Sequence, residues 1–314
     1  MTFVTFIKMN QPLIVVLGPT AIGKTRLAVS LCKHLNGELV SADSRQVYKG
    51  MDIGTGKDLA DFELDGSSVP YHLIDIKEAG EVYSVFEFQK DFLDAFKLIS
   101  KKEKPTILCG GTGMYLSAAL QKDKILPVPR NEALRRGIVN KSNDQLVDYL
   151  SALKPLHNSS DILDQDRLIR AIEIATFENE QPPEAMPNFP VLVIGLSTSR
   201  EKIKENIHLR LKNRINEGLI EEVEELIKKG VTHEQLNYYG LEYRYVSQYL
   251  TAKIDKDELF AELYKAICNY AKRQMTWYRR MEKKGTIIHW VDANDTLDSQ
   301  IVNVMNIIKS KLNV

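Results

Sequence analysis

Eight residues near the amino terminus, Gly18-Pro19-Thr20-Ala21-Ile22-Gly23-Lys24-Thr25, fit the pattern G-x-x-x-x-G-K-S/T. Glycines at those positions let the backbone wind tightly, so that successive N–H groups and the start of a following helix face one point. Lys24 adds a positive charge there, and the Thr25 hydroxyl can ligate Mg²⁺. The loop is therefore a cradle for a polyphosphate. It recognises phosphate oxygens, so the group attached to them stays open and ATP is not implied.

Asp43 closes the next apolar run, in Ser41-Ala42-Asp43-Ser44-Arg45-Gln46-Val47-Tyr48. It is expected at the carboxyl end of a strand neighbouring the phosphate loop, where ligands of such sheets bind. A carboxylate there could take a proton from an incoming nucleophile, or it could be a helix N-cap or turn residue. Arg45 and Gln46 could contact a base or a phosphate, or stand in a solvated loop. A third run, Thr106 to Cys109, ends in Gly110-Gly111-Thr112-Gly113-Met114-Tyr115. P-loop ATPases and GTPases place an acidic residue there for Mg²⁺, and its absence argues against an ordinary NTPase. The glycines permit close approach of a ligand and Thr112 brings a hydroxyl into the crevice; a plain strand-to-helix turn is the alternative.

Farther along, Tyr270-Ala271-Lys272-Arg273-Gln274-Met275-Thr276-Trp277-Tyr278-Arg279-Arg280 interleaves cations with aromatics on one long helix, followed by Lys283 and Lys284. Such a run could neutralise phosphates and pack against bases, or it could complement the helix dipole with Trp277 and Tyr278 in the core. Arg210 and Arg214, one helical turn apart, could reach phosphates across the crevice or be solvated. His34, His72, His157, His208, His233 and His289 show no metal spacing.

These side chains need a scaffold, and the pattern supplies one. Short apolar runs alternate with amphipathic stretches at Leu13–Leu17, Thr25–Leu35, Glu38–Ser41, Tyr83–Leu98 and Thr106–Cys109, which predicts strand, helix, strand and hence a parallel sheet. From 121 to 189 the chain turns polar and proline-punctuated, with Pro127, Pro155 and Pro183 among others, around helical stretches at Asn143–Leu153 and Arg167–Thr176. That block reads as a helical insertion. A strand at Val191–Gly195 then returns, with long helices over about 200–217, 219–229 and 257–282 and a last strand at Thr286–Val291. The expected fold is α/β, a P-loop NTPase-like parallel sheet flanked by helices, its core split into 12–120 and 190–314.

Composition narrows the class. The chain has 314 residues, 44% of them hydrophobic, which is enough to bury a core and excludes wholesale disorder. Lys plus Arg and Asp plus Glu both total 42, so any nucleic-acid surface must be local. Cys32, Cys109 and Cys268 are too scattered for a disulfide framework or a metal site. The run Leu13–Leu17, with only Lys8 ahead of it, is too short for a signal peptide, and no stretch approaches the roughly 18 apolar residues of a membrane span. A cytoplasmic protein is expected.

Taken in order along nearly the whole chain, these segments resemble the tRNA dimethylallyltransferase family, also called tRNA isopentenyltransferases. The resemblance is carried by Gly18–Thr25, Ser41–Tyr48, Met51-Asp52-Ile53-Gly54-Thr55, Tyr71-His72-Leu73-Ile74-Asp75, Tyr83-Ser84, Gly110–Leu116, Asp166–Glu173, Gly218–Val223 and Ala271–Arg279. It implies transfer of a five-carbon allyl group from dimethylallyl diphosphate to N6 of the adenine beside the tRNA anticodon, with release of diphosphate. It further implies that Gly18, Pro19, Thr20, Ala21, Ile22, Gly23, Lys24, Thr25 and Arg210 hold the diphosphate, with Mg²⁺ on Thr25. Asp43 would be the base and Thr112 would help orient it. Asp43, Ser44, Arg45 and Gln46, then Asp166, Arg167, Leu168, Ile169 and Arg170, and Lys272, Arg273 and Gln274 would contact the tRNA anticodon stem-loop. The insertion would grip the anticodon arm, and a monomer is expected. The sequence departs from the family at Asp166, where Gln is common, in Tyr239–Arg244, where a Gly-Tyr-Arg/Lys pattern is altered, and in its short insertion. Two other readings stay open: an adenylate dimethylallyltransferase using free AMP or ADP, and a P-loop kinase of a small metabolite with Asp43 as base. A noncatalytic RNA-binding or nucleotide-switch protein is a third.

Overall fold

A computed structural model describes residues 11–64, 67–154 and 164–312; Lys8, Pro155 and His157, named above, lie outside them. The chain divides into two compact units, one of residues up to 120 and from 187 onward, the other of residues 121–186.

The first unit is built on β1 (Leu13–Leu17), every residue of which is buried. A strand hydrophobic on both faces belongs at the centre of a covered parallel sheet. The rest of the sheet is β2 (Glu38–Ser41), the two-residue β5 (Tyr71–His72), β6 (Thr106–Gly110), β7 (Val191–Ser197) and β8 (Ile288–Asp292), in the order β5-β2-β6-β1-β7-β8 and parallel throughout. β3 (Glu63–Leu64) and β4 (Ser67–Ser68) form a separate small hairpin. The order corrects one expectation: β2 does not neighbour β1, because β6 lies between them. Asp43 still reaches the crevice because all these strands end at the same edge.

Ile14 and Val16 pack with Leu27, Leu31, Ile107, Ile301 and Val304 in one core, so α1 (Lys24–Leu35) and α12 (Leu297–Leu312) share a face of the sheet. Leu13, Val15 and Leu17, by strand alternation, point the other way. α2 (Val85–Lys101) meets β2 and β6, and its Phe88 stacks on Tyr115 of α3 (Gly113–Leu120) with ring centroids 4.0 Å apart. The Tyr83-Ser84 pair is a helix start: Ser84 and Glu87 form a reciprocal capping box on α2. Gly110 is required by close packing, since a Cβ there would collide with the Ala42 carbonyl at the end of β2.

At the amino end of β2, the Glu38 carboxylate is 2% exposed and bonds His72, Lys102 and Lys104 at 2.9, 2.9 and 3.3 Å. Burial pushes its pKa up, but the three donors outweigh burial and hold it at about 2.

The second unit is helical: α4 (Glu132–Ile138), α5 (Asn143–Leu153) and α6 (Gln165–Glu180), with Ile138, Leu146, Leu150, Leu168, Ile169 and Ile172 as its core. The Glu173 side chain, fully buried, bonds Arg135 at 2.7 Å, Arg170 at 3.0 Å and the Asn131 N–H at 2.9 Å. The unit's two ends meet: the Lys124 N–H bonds the Glu184 carbonyl and the Met186 N–H bonds the Lys122 carbonyl. The return to the first unit comes at Pro187, earlier than 190, because Phe189 packs on Phe96 at 4.6 Å and Pro190 accepts the Leu13 N–H.

The remaining elements complete the first unit: α7 (Arg200–Asn216), α8 (Leu219–Lys228), α9 (His233–Tyr238), α10 (Leu241–Leu250) and the 28-residue α11 (Lys256–Lys283).

Candidate functional site

The phosphate loop turns from β1 into α1 through left-handed backbone at Ala21 (φ 60°) and Gly23 (φ 90°), the conformation that lines up N–H groups at a helix start. Lys24 donates from Nζ to the Pro19 carbonyl at 2.7 Å. Burial, aided by Arg210 and opposed by Cys109 and Asp43, brings its pKa down to about 8. Arg210 on α7 bonds the Thr20 hydroxyl at 2.5 Å, and Asn206 one turn earlier bonds the Ala21 carbonyl at 3.1 Å. Burial and then Arg214 lower the Arg210 pKa, although a guanidinium keeps its charge at neutral pH. A cavity of about 370 Å³ opens over the loop, lined by Thr20 to Arg26, Asp43, Gly110, Gly111 and Arg210.

The loop is braced from α11. The Gln274 side chain, buried, accepts the Thr20 N–H at 2.8 Å and donates to the Gly111 carbonyl at 2.9 Å. One turn on, the Tyr278 hydroxyl bonds the Gly18 carbonyl at 3.0 Å. Between them Trp277 donates to Ser117 at 2.9 Å and covers Gly113, where any Cβ would strike the indole. Gln-x-x-Trp-Tyr therefore acts largely as a structural bolt, and Gln274, expected among the tRNA contacts, is committed to the backbone. Lys272 and Arg273 on the same helix are exposed.

Asp43 stands at the end of β2. Its Oδ1 accepts the Arg45 N–H at 2.9 Å, which fixes the carboxylate in a turn and leaves Oδ2 to act as an acceptor. Thr112, opposite, accepts the Ser44 N–H at 3.1 Å, so the Thr112 hydroxyl holds the segment that carries Asp43. Gln46 accepts from Ser41 at 2.8 Å and donates to the Gly56 carbonyl at 3.0 Å, closing the loop from inside the first cavity. The following Met51–Thr55 segment is held by Glu222 of α8, whose carboxylate accepts the N–H groups of Asp52, Ile53 and Gly54 at 2.8, 2.7 and 3.0 Å.

A second cavity, about 320 Å³, adjoins the first. Thr20, Asp43, Thr55 and Arg210 line both. Its other walls are Ser44, Arg45, Thr112, Arg214, Asn237, Glu242, Arg244, Tyr270 and Arg273. Arg45 lies over the half-exposed Tyr238 ring at 5.0 Å. The sequence assigns no role to Tyr239–Arg244, and only the packing of α10 against α11 brings Glu242 and Tyr270 to one wall.

In the second unit Asp166 and Arg167 are exposed, and Arg170 is tied to Glu173 and to the Val128 carbonyl. Leu168 and Ile169 are a correction: they are 0% and 3% exposed in that unit's core and cannot contact a nucleic acid.

Among the described residues no group of three or more His, Cys, Asp or Glu side chains could hold a metal ion. The donors fit Mg²⁺ in its usual manner, a hydroxyl such as that of Thr25 completed by substrate phosphate oxygens and water.

A parallel α/β sheet whose glycine-rich loop lies under one cavity that adjoins a second, arginine-lined one defines a protein of P-loop architecture. Comparison with known proteins gives the family. The IPP transferase family model matches residues 46–281. A curated relative in Bacteroides fragilis, tRNA dimethylallyltransferase 2, is 47% identical over 305 residues, covering 96% of this chain and 98% of its own. The crystal structure of the tRNA isopentenylpyrophosphate transferase of Bacillus halodurans superposes with a TM-score of 0.72 at 31% identity, covering 97% of each chain. A eukaryotic dimethylallyltransferase acting on tRNA, 21% identical, shares the fold at a TM-score of 0.77 over 96% of this chain and 79% of its own. The chain belongs to the IPP transferase family and is a prenyl-transferring enzyme.

Proposed function

We propose that the enzyme transfers a dimethylallyl group from dimethylallyl diphosphate to N6 of the adenine beside the anticodon of tRNA, releasing diphosphate. The observation that carries this reading is the place of Asp43, a carboxylate shared by the walls of two adjoining cavities. The first cavity suits the diphosphate, with Lys24, Arg210 and the loop N–H groups around it; the Thr25 hydroxyl would hold Mg²⁺, which would add charge neutralisation. The second suits a base turned out of the anticodon loop, at a cost of a few kcal/mol repaid by contacts. The exocyclic nitrogen attacks the allylic carbon, the carbon–oxygen bond breaks, and the electron pair leaves with the diphosphate. Lys24 and Arg210 stabilise the charge that develops there. Asp43 takes the proton that N6 sheds, and Thr112 keeps the Asp43 segment in register.

Arg45 and Ser44 stand on the acceptor side, and Lys272 and Arg273 are exposed on α11, placed for RNA phosphates. Arg167 and Asp166 would serve the same substrate from the helical insertion. The protein works as a cytoplasmic monomer in this reading; no helix among the described residues is long and apolar enough to cross a membrane.

Incubation with labelled dimethylallyl diphosphate and bulk tRNA, AMP or no acceptor, followed by digestion and identification of the modified nucleoside, tests the assignment. Label on adenosine of tRNA is expected. Label on AMP alone favours an adenylate dimethylallyltransferase, and label transfer from γ-labelled ATP to a metabolite favours a kinase. Asp43→Ala should lose transfer about a hundredfold or more while pyrophosphate binding survives; unchanged turnover removes Asp43 from the reaction.

A further inference from the structure

The second cavity is lined by five arginines and only two carboxylates, Asp43 and Glu242. Asp43 is spoken for by the reaction. Glu242 lies in the first turn of α10, in the segment where the sequence departs from the family's Gly-Tyr-Arg/Lys pattern, and its side chain is 16% exposed. It faces Arg214, itself 8% exposed, at 3.8 Å. Arg214, in the second cavity's lining, follows Arg210 by one turn of α7 and packs against Gly56, a residue of the first cavity's wall, filling the space where a Cβ there would stand. Glu242 thus faces Arg214, while Arg210, one helical turn away, bonds the Thr20 hydroxyl of the phosphate loop.

Two largely buried guanidinium groups one turn apart repel each other, and each seeks an anion. In the observed arrangement Arg210 is bonded to the phosphate loop and Arg214 is turned to Glu242. We infer that Glu242 is a positioning residue for the transfer reaction: its carboxylate is the counter-charge that keeps Arg214 off the diphosphate, so that Lys24 and Arg210 serve the leaving group without it and the product can depart. This role for Glu242 rests on the first cavity being a diphosphate site. If Glu242 is neutralised, the positive charge of Arg214 is left uncompensated beside a multiply charged anion. At the intermediate effective dielectric of a partly buried site this strengthens anion binding by about tenfold or more. A residue that merely filled space would have the opposite effect, loosening the site and weakening the anion.

Pyrophosphate binding in the presence of Mg²⁺ is measured by titration calorimetry on the full chain, wild type against Glu242→Gln. The dissociation constant is expected to fall about tenfold, and both kcat and the KM for dimethylallyl diphosphate should fall with it as release becomes slow. Arg214→Gln/Glu242→Gln removes both charges and should return pyrophosphate affinity to the wild-type value; it also serves if Glu242→Gln alone does not fold. Weaker or unchanged binding in Glu242→Gln overturns the inference, as does a double variant that binds more tightly than the wild type. A wild-type protein that binds pyrophosphate yet prenylates no RNA overturns the proposed function, and the role of Glu242 is then decided by the calorimetry alone. No pyrophosphate binding by the wild type overturns the cradle on which both depend.

Discussion

Lys24 shows how a single side chain sets a working range. Burial, reinforced by Arg210, holds its pKa at about 8, so the ammonium carries its charge below that value and sheds it above. An anion binds the charged form, and above pH 8 the free enzyme must first take up a proton. Pyrophosphate affinity should therefore be flat toward neutrality and decline as pH rises through about 8, approaching tenfold per unit. Lys24→Met should bind more weakly and lose that inflection; an unchanged inflection in the variant would assign it to another group. The glycine pattern made Lys24 legible in the sequence, because its spacing has one structural use. Gln274 was not legible in the same way. A polar residue directly after two cations on a long helix reads as surface, and only the folded chain reveals that Thr20 and Gly111, distant in sequence, meet on its amide.

At the scale of elements, apolar runs announced β1, β2, β6 and β7 and the helices that follow them, because buried parallel strands admit little but aliphatic residues. Strand order was not legible, since periodicity is silent about neighbours. Nor were α9, α10 and α12, whose sequences carry weaker punctuation. Glu38 illustrates what an element's end can hide. It looks like an ordinary charged residue before an apolar run, yet His72, Lys102 and Lys104 converge on it and keep its pKa at about 2. A carboxylate depressed in the folded state contributes stability that is fully present above its unfolded pKa of about 4.3 and is lost as pH falls toward 2. The thermal midpoint of the wild type should thus drop over that window. Glu38→Gln should be less stable at neutral pH and should show a smaller acid-induced drop; equal drops in both proteins would place the acid sensitivity elsewhere.

For the whole molecule, the change in composition near 121 suggested an inserted block, and residues 121–186 form a compact unit, but composition did not tell which of its residues face outward. Leu168 and Ile169 sit inside a family-like segment and are nonetheless core, because a 16-residue helix must bury one stripe. The insertion's two ends are joined by backbone hydrogen bonds at Lys122–Lys124 and Glu184–Met186, so it leaves and re-enters the chain at one point. A protein in which a short linker replaces residues 121–186 should fold, bind pyrophosphate as the wild type does and lose most of its affinity for tRNA. Calorimetry and a gel-shift titration read the two properties separately. Retention of full tRNA affinity would confine RNA recognition to the first unit.

The bolt at Gln274 has a mechanical consequence. One amide ties the phosphate-loop turn at Thr20 to the turn at Gly111, while the same helix carries Lys272 and Arg273 outward. In the proposed function, a polynucleotide docked along those cations would bear on the same helix that ties the two turns together.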